Sequence, residues 1–144
     1  MVYHINVFIS HSWSYDQHYN KLYNWIFREK WRSPDNIPII FHDMSVPKNH
    51  PIHYASTDRE LKEAIWSRIY NSDVVVILTG VYASYSKWIK KEIEGAKKYQ
   101  KPILAVNPWG QVRKSSIVAR SADMLVGWNK KSVLGGILNL YLQV

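Results

Sequence analysis

The sequence predicts an α/β domain, a five-stranded parallel sheet with helices on both faces. Three observations predict it. Short apolar, β-branched runs recur at Ile5–Ile9, Ile37–Phe41, Val74–Leu78, Pro102–Val106 and Met124–Val126. Most are separated by stretches whose apolar residues repeat at helical spacing. No linker, internal repeat or low-complexity segment breaks the alternation, so residues 1–144 read as one domain with one sizeable core. Strands that alternate with helices pair in parallel, because each helix carries the chain back to the starting edge.

Each element has a local reason. Ile5–Ile9 is a central strand ending at Ser10, and His11-Ser12-Trp13-Ser14 is the loop at its carboxyl end. From Asp16 to about Lys30, residues Tyr19, Leu22, Tyr23, Ile26 and Phe27 line one helical face. Ser33-Pro34-Asp35-Asn36 makes a turn. Pro38 in the second strand predicts an edge position, since proline cannot donate to a ladder. The connection from His42 to Thr57 is long, and two prolines stiffen it. Such loops are often binding loops or lids, which makes the part from Asp43 to His53 a candidate cover for a ligand.

Thr57 with Glu60 forms a capping box for a helix running to about Tyr70, with Leu61, Ile65 and Ile69 inward and Asn71-Ser72 ending it. The uninterrupted run Val74–Leu78 reads as a buried strand. The helix after it is capped by Ser84 or Ser86 and ends near Gln100. Ser116 to Arg120 reads as a helical turn. Asn129 caps a last helix through Val133, Ile137, Leu140 and Tyr141, which Gly135-Gly136 is expected to weaken. Five such strands most often wind in the flavodoxin-like order 2-1-3-4-5, a three-layer sandwich. Its ligand crevice lies at the carboxyl ends of the first and third strands.

Those ends are Ser10-His11-Ser12 and Thr79-Gly80-Val81-Tyr82. The next helix starts from the same edge, and there Trp88 and Glu92 stand four residues apart, one turn above the other. A flat ring beside a carboxylate can hold a base or sugar and stabilise positive charge near it. The same pair also reads as an interfacial tryptophan beside a solvated glutamate. Ser84, Ser86 and Tyr82 surround the helix start, where amides and hydroxyls make a seat for a pyrophosphate, or where the serines simply cap. Asp43 stands at the carboxyl edge, where it can help bind a ligand. Asp73 opens a strand at the opposite edge and reads as a turn residue.

Composition narrows the chemistry. With 47% hydrophobic and 21% charged residues the chain is globular. Seven Trp and ten Tyr are too many to bury with every polar atom paired, so some line a surface or pocket. The absence of cysteine excludes disulfides, thiolate metal sites and cysteine nucleophiles. His50 and His53 near Asp43 are too loosely spaced, on proline-stiffened backbone, to predict a metal site. The formal charge of +8 favours anionic partners, but the basic residues are spread out rather than gathered in a stripe. Direct nucleic-acid binding is therefore not expected. No basic region with a long apolar run opens the chain and no stretch suits a bilayer, so a cytoplasmic protein without membrane contact is expected.

Several pieces in this order resemble a known family. Val7-Phe8-Ile9-Ser10-His11-Ser12, the third strand and Trp88-Ile89-Lys90-Lys91-Glu92-Ile93 resemble TIR domains. Closer still are His11-Ser12-Trp13, Ser45-Val46-Pro47 with Pro51-Ile52-His53, Gly80-Val81-Tyr82, Tyr85-Ser86-Lys87-Trp88-Ile89 and Pro108-Trp109-Gly110. These resemble the bacterial TIR-like family that includes the TIR component of Thoeris antiphage defence. The resemblance runs over nearly the whole chain.

It implies an NAD-consuming enzyme of the glycohydrolase or cyclase type. Glu92 matches the catalytic glutamate and Trp88 the aromatic residue before it. With the crevice position read above, Ser10, His11, Asp43, Ser45, His53, Tyr82, Ser84 and Trp88 form the expected substrate-binding set, although His11 equally reads as a cap on a neighbouring helix and His53 as a residue packing within its loop. NAD is then a substrate, with no separate cofactor and no metal. The product is an ADP-ribose-derived messenger acting on a separate effector protein. A non-catalytic module that works by self-association or nucleotide binding is the alternative. The proline-rich loop from Asp43 to His53 does not look like the loop of animal signalling TIR domains, so their partner rules do not transfer.

Overall fold

A computed structural model gives the architecture and describes residues 1–10, 17–46, 57–79, 86–108 and 116–143. The strands are β1 (Tyr3–Ile9), β2 (Trp31–Arg32), β3 (Pro38–Asp43), β4 (Val74–Leu78), β5 (Ile103–Asn107) and β6 (Met124–Gly127). The helices are α1 (Gln17–Phe27), α2 (Asp58–Tyr70), α3 (Ser86–Lys98), α4 (Ser116–Ser121) and α5 (Lys130–Leu142). The sheet order is β2-β3-β1-β4-β5-β6. All pairings are parallel except that of β2 with β3. Without β2 this is the expected five-stranded 2-1-3-4-5 winding.

The extra strand changes the reading of Pro38. β2 pairs with Pro38 and Ile39 at the start of β3, so β3 is not the outermost strand there; Pro38 is instead its first residue, where a missing N–H is tolerated.

Period-two alternation splits the side chains of the sheet between two cores. Ile5, Val7 and Ile9, with Val74, Val76, Leu78, Leu104 and Val106, pack under α1 and α5. Phe8, Val75, Ile77, Ile103 and Ala105 face α2, α3 and Val118 of α4. β4 and β5 are buried along their whole length, as strands covered on both faces must be.

Two of the predicted caps form, at Thr57 and Asn129. Thr57 Oγ1 accepts from Glu60 N at 3.1 Å, and Asn129 Oδ1 accepts from Ser132 N at 3.1 Å. Ser86 is the first residue of α3 rather than its cap, and Ser84 lies outside the described residues. Asp73 is more than a turn residue. Its Oδ2 accepts from Asn6 N at 2.8 Å while its own N–H donates to Asn6 O at 2.7 Å, pinning the entry of β4 to β1. Asp123 does the same for the entry of β6, which it pins to β5 by accepting from Ile103 N at 2.8 Å and donating to Ile103 O at 2.9 Å.

Two glycines allow helices to approach closely. A Cβ on Gly95 would lie 2.7 Å from Trp66 Cδ1, so α2 and α3 meet there only because position 95 has none. A Cβ on Gly136 would lie 3.0 Å from Leu104 Cδ1. α5 therefore runs unbroken through Gly135-Gly136, and the expected weakness is offset by tight packing on β5. Much of the aromatic content is spent the same way. The rings of Trp25 and Trp128 lie 4.6 Å apart, Trp31 Nε1 donates to Trp25 O, and Trp66 Nε1 donates to Lys91 O.

Candidate functional site at the carboxyl rim

The carboxyl ends of β1, β4 and β5 carry Ser10, Thr79 and Asn107. Each continues the alternation that points toward α3: Ser10 follows Phe8, Thr79 follows Ile77, and Asn107 follows Ala105. All three are buried, at 1%, 0% and 4% exposure. The backbone ties them to the sheet. Ser10 N donates to Val76 O and Thr79 N to Val106 O, both at 2.8 Å.

Above this row lies Glu92 of α3, which is 0% exposed. Ser10 Oγ donates to Glu92 Oε1 at 2.6 Å. A carboxylate is seldom enclosed this completely, because leaving water is costly for a charge. A short charge-assisted bond from a buried hydroxyl compensates part of that cost and fixes the direction of the carboxylate. Helical spacing explains its position. Ile89, Ile93 and Ala96 bury the core face of α3, and Glu92 stands between Ile89 and Ile93 along it.

Trp88, one turn before Glu92, is 9% exposed and belongs to the hydrophobic cluster under α3.

Ser45 sits beside the pair and is also buried. Its Oγ accepts from Ile9 N at 2.8 Å, and its own N–H donates to Asp43 Oδ1 at 2.8 Å. Arg68 of α2 donates to Ser45 O at 3.0 Å. The chain leaving β3 is thereby fastened to β1 one residue before Ser10. Asp43 is exposed and lines a cleft of about 610 Å³ with Tyr19, Asn20, Tyr23, Asn24, Arg28, Ser45 and Val46. Its volume falls in the range of small-molecule pockets.

Tyr19 links the cleft to the glutamate. Burial above all, then the negative charge of Asp43, pushes its hydroxyl well above the ordinary tyrosine range; a hydrogen bond with Ser45 opposes this and Glu92 adds to it. Burial and Asp43 also raise Tyr23.

The structure thus brings together Ser10, Ser45, Trp88 and Glu92, with Asp43 at the mouth of the adjoining cleft. His11, His53, Tyr82 and Ser84 lie outside the described residues, as do the loop from 47 to 56 and the pair His50 and His53. Asn107 and Tyr19 are site residues that sequence reasoning missed, and Thr79 is one it placed at the crevice without a role of its own. The sequence places Thr79 only at a strand end of the crevice, gives Asn107 no role, and places Tyr19 on the apolar face of a helix. The signal for Thr79 and Asn107 is present in the sequence, since each is the first polar residue after an aliphatic run, at the parity that faces α3. Among the described residues no group of three His, Asp or Glu side chains is placed to hold a metal, and no helix is long and apolar enough to cross a membrane.

Comparison with curated protein sequences finds no match. A solved structure of Clostridium botulinum CMP N-glycosidase, BcmB, superposes with a TM-score of 0.52 at 16% identity, covering 94% of this chain and 98% of that one. That likeness is one of fold. The family model described as "Thoeris protein ThsB, TIR-like domain" matches residues 8–113, from the end of β1 to beyond β5. The chain therefore belongs to the TIR-like domain family of the Thoeris protein ThsB.

Proposed function

We propose that this protein cleaves the nicotinamide–ribose bond of NAD and releases an ADP-ribose-derived signal in prokaryotic antiphage defence. The observation that carries the reading is Glu92, wholly enclosed at the carboxyl rim and oriented by Ser10 Oγ at 2.6 Å. Family membership supports the biological setting. The N-glycosidase named among the structural neighbours supports the reaction class, since it too is named for breaking a base–ribose bond.

The chemistry suits the residues. The bond between the ribosyl carbon and the pyridinium nitrogen breaks, and its electron pair stays on nitrogen, so nicotinamide leaves neutral. The ribosyl carbon is left with oxocarbenium character. In this reading the Glu92 carboxylate stabilises that charge and accepts hydrogen bonds from the ribose hydroxyls. Ser10 holds the carboxylate in place, so little reorganisation is needed as charge develops. Enclosure strengthens the electrostatic effect and limits access of water. Water or a hydroxyl of the product then attacks the ribosyl carbon and loses its proton, giving free or cyclised ADP-ribose. The product acts on a separate effector protein.

A non-catalytic scaffold gains nothing from an enclosed carboxylate, which burial penalises. The test is direct. Purified protein is incubated separately with NAD and with CMP, and released nicotinamide or cytosine is followed by chromatography. The proposal expects nicotinamide release. Release of cytosine alone would transfer the reading to a nucleoside monophosphate glycosidase, and release of neither would reject cleavage.

A further inference from the structure

The buried row under α3 contains one hydroxyl that the fold does not use. Ser10 is committed to Glu92. Asn107 is engaged within the protein. Thr79 is 0% exposed, and among the described residues its Oγ1 is the buried side-chain atom left without a hydrogen-bond partner. The rest of β4 is Val74-Val75-Val76-Ile77-Leu78. Valine has almost the shape of threonine and none of its desolvation cost, so the fold alone favours valine at this place. An orphan polar atom in an otherwise satisfied core calls for an explanation outside the core.

Its position supplies one. β4 pairs with β5 through Leu78 and Val106, so the next residues, Thr79 and Asn107, stand side by side at the rim. Across the other edge of β4, Ile9 pairs with Val76 and Ser10 follows on the same face as Thr79. Thr79 is thus one pleat further out than the Ser10–Glu92 pair, at the strand end where bound ligands meet such sheets.

We infer that Thr79 is a substrate-binding residue, whose hydroxyl is completed by a ribose hydroxyl of the nucleotide held against Glu92. This rests on the N-ribosyl cleavage proposed above. A sugar hydroxyl suits the vacancy because it both donates and accepts, as Thr79 Oγ1 does. The contact falls to the sugar, since Thr79 stands one pleat beyond Ser10, which holds the carboxylate expected to face the ribosyl carbon.

The test uses the full chain with Thr79→Val, Thr79→Ser and Glu92→Gln. Thermal unfolding needs no substrate. Thr79→Val should raise Tm by roughly 3 °C, because it deletes an unpaired buried hydroxyl at constant shape. An unchanged or lower Tm would mean that the hydroxyl is already satisfied, overturning the inference. With NAD, Thr79→Val should lower kcat/KM about tenfold or more, while Thr79→Ser keeps most of it. The loss should shrink to less than twofold on NAD lacking the 2′- or the 3′-hydroxyl of the nicotinamide ribose, because one of these removes the partner. Wild-type kinetics for Thr79→Val beside an inactive Glu92→Gln would overturn the role of Thr79 and leave cleavage standing. A wild-type protein that never releases nicotinamide would overturn the cleavage reading and this contact with it.

Discussion

Ser10 and Glu92 are 82 positions apart in sequence, yet Ser10 Oγ donates to Glu92 Oε1 at 2.6 Å, and neither side chain is more than 1% exposed. The pair joins the end of the central strand to the helix that follows the next strand in the sheet. It therefore forms only once β1, β4 and α3 are assembled. Ser10→Ala removes the donor and leaves the carboxylate enclosed. The expected result is a ten- to hundredfold loss of kcat/KM for NAD and a destabilisation of about 1–3 kcal/mol. Steady-state kinetics and urea unfolding of one preparation read both. Unchanged kinetics would remove Ser10 from the site.

Gly95 sets the spacing of the helices that carry the site. A Cβ there would meet Trp66 Cδ1 at 2.7 Å and Ile69 Cδ1 at 3.2 Å. Trp66 cannot easily yield, because its Nε1 donates to Lys91 O at 2.9 Å. Gly95→Ala should cost about 1–3 kcal/mol despite the better helix propensity of alanine. A urea midpoint at or above that of wild type would contradict the close packing of α2 on α3.

Tyr19 makes stability depend on alkaline pH. Burial and Asp43 raise its folded pKa above the unfolded value of about 10. The sign follows from proton counting. Below about pH 10 both states hold the phenolic proton and the contribution is full. Above it the unfolded state releases the proton first, so the folded state binds more and stability falls with pH, by up to about 1.4 kcal/mol per pH unit. Tyr19→Phe should show a shallower loss between about pH 10 and 11 in urea titrations. Identical slopes for the two proteins would mean that Tyr19 is not held neutral by the site.

Much of the frame was legible because local chemistry and global winding agree. Thr57 with Glu60 and Asn129 each announced a helix start that the structure contains. The five aliphatic runs gave the parallel strands and their order. β2 was not legible, since two residues carry no periodicity, and Pro38 was misread for want of that neighbour. Position within the site was only partly legible. Trp88 and Glu92 are one turn apart as expected, but burial of Trp88 depends on how α3 lies on the sheet. Tyr19 looked like a core residue because helical spacing records the face of a helix, not which rim its hydroxyl reaches. Thr79 and Asn107 show their importance only through strand register, which links residues far apart in sequence.

The central claim is that Glu92 performs the chemistry, and the most direct measurement compares Glu92→Gln with wild type. Gln is close to isosteric and can still accept from Ser10 Oγ, so Tm should stay within a few degrees of wild type. It carries no charge, so it cannot stabilise an oxocarbenium centre. The account predicts that wild type releases nicotinamide from NAD and that the folded Glu92→Gln protein releases at least about a thousandfold less. Turnover within a few-fold of wild type would contradict it.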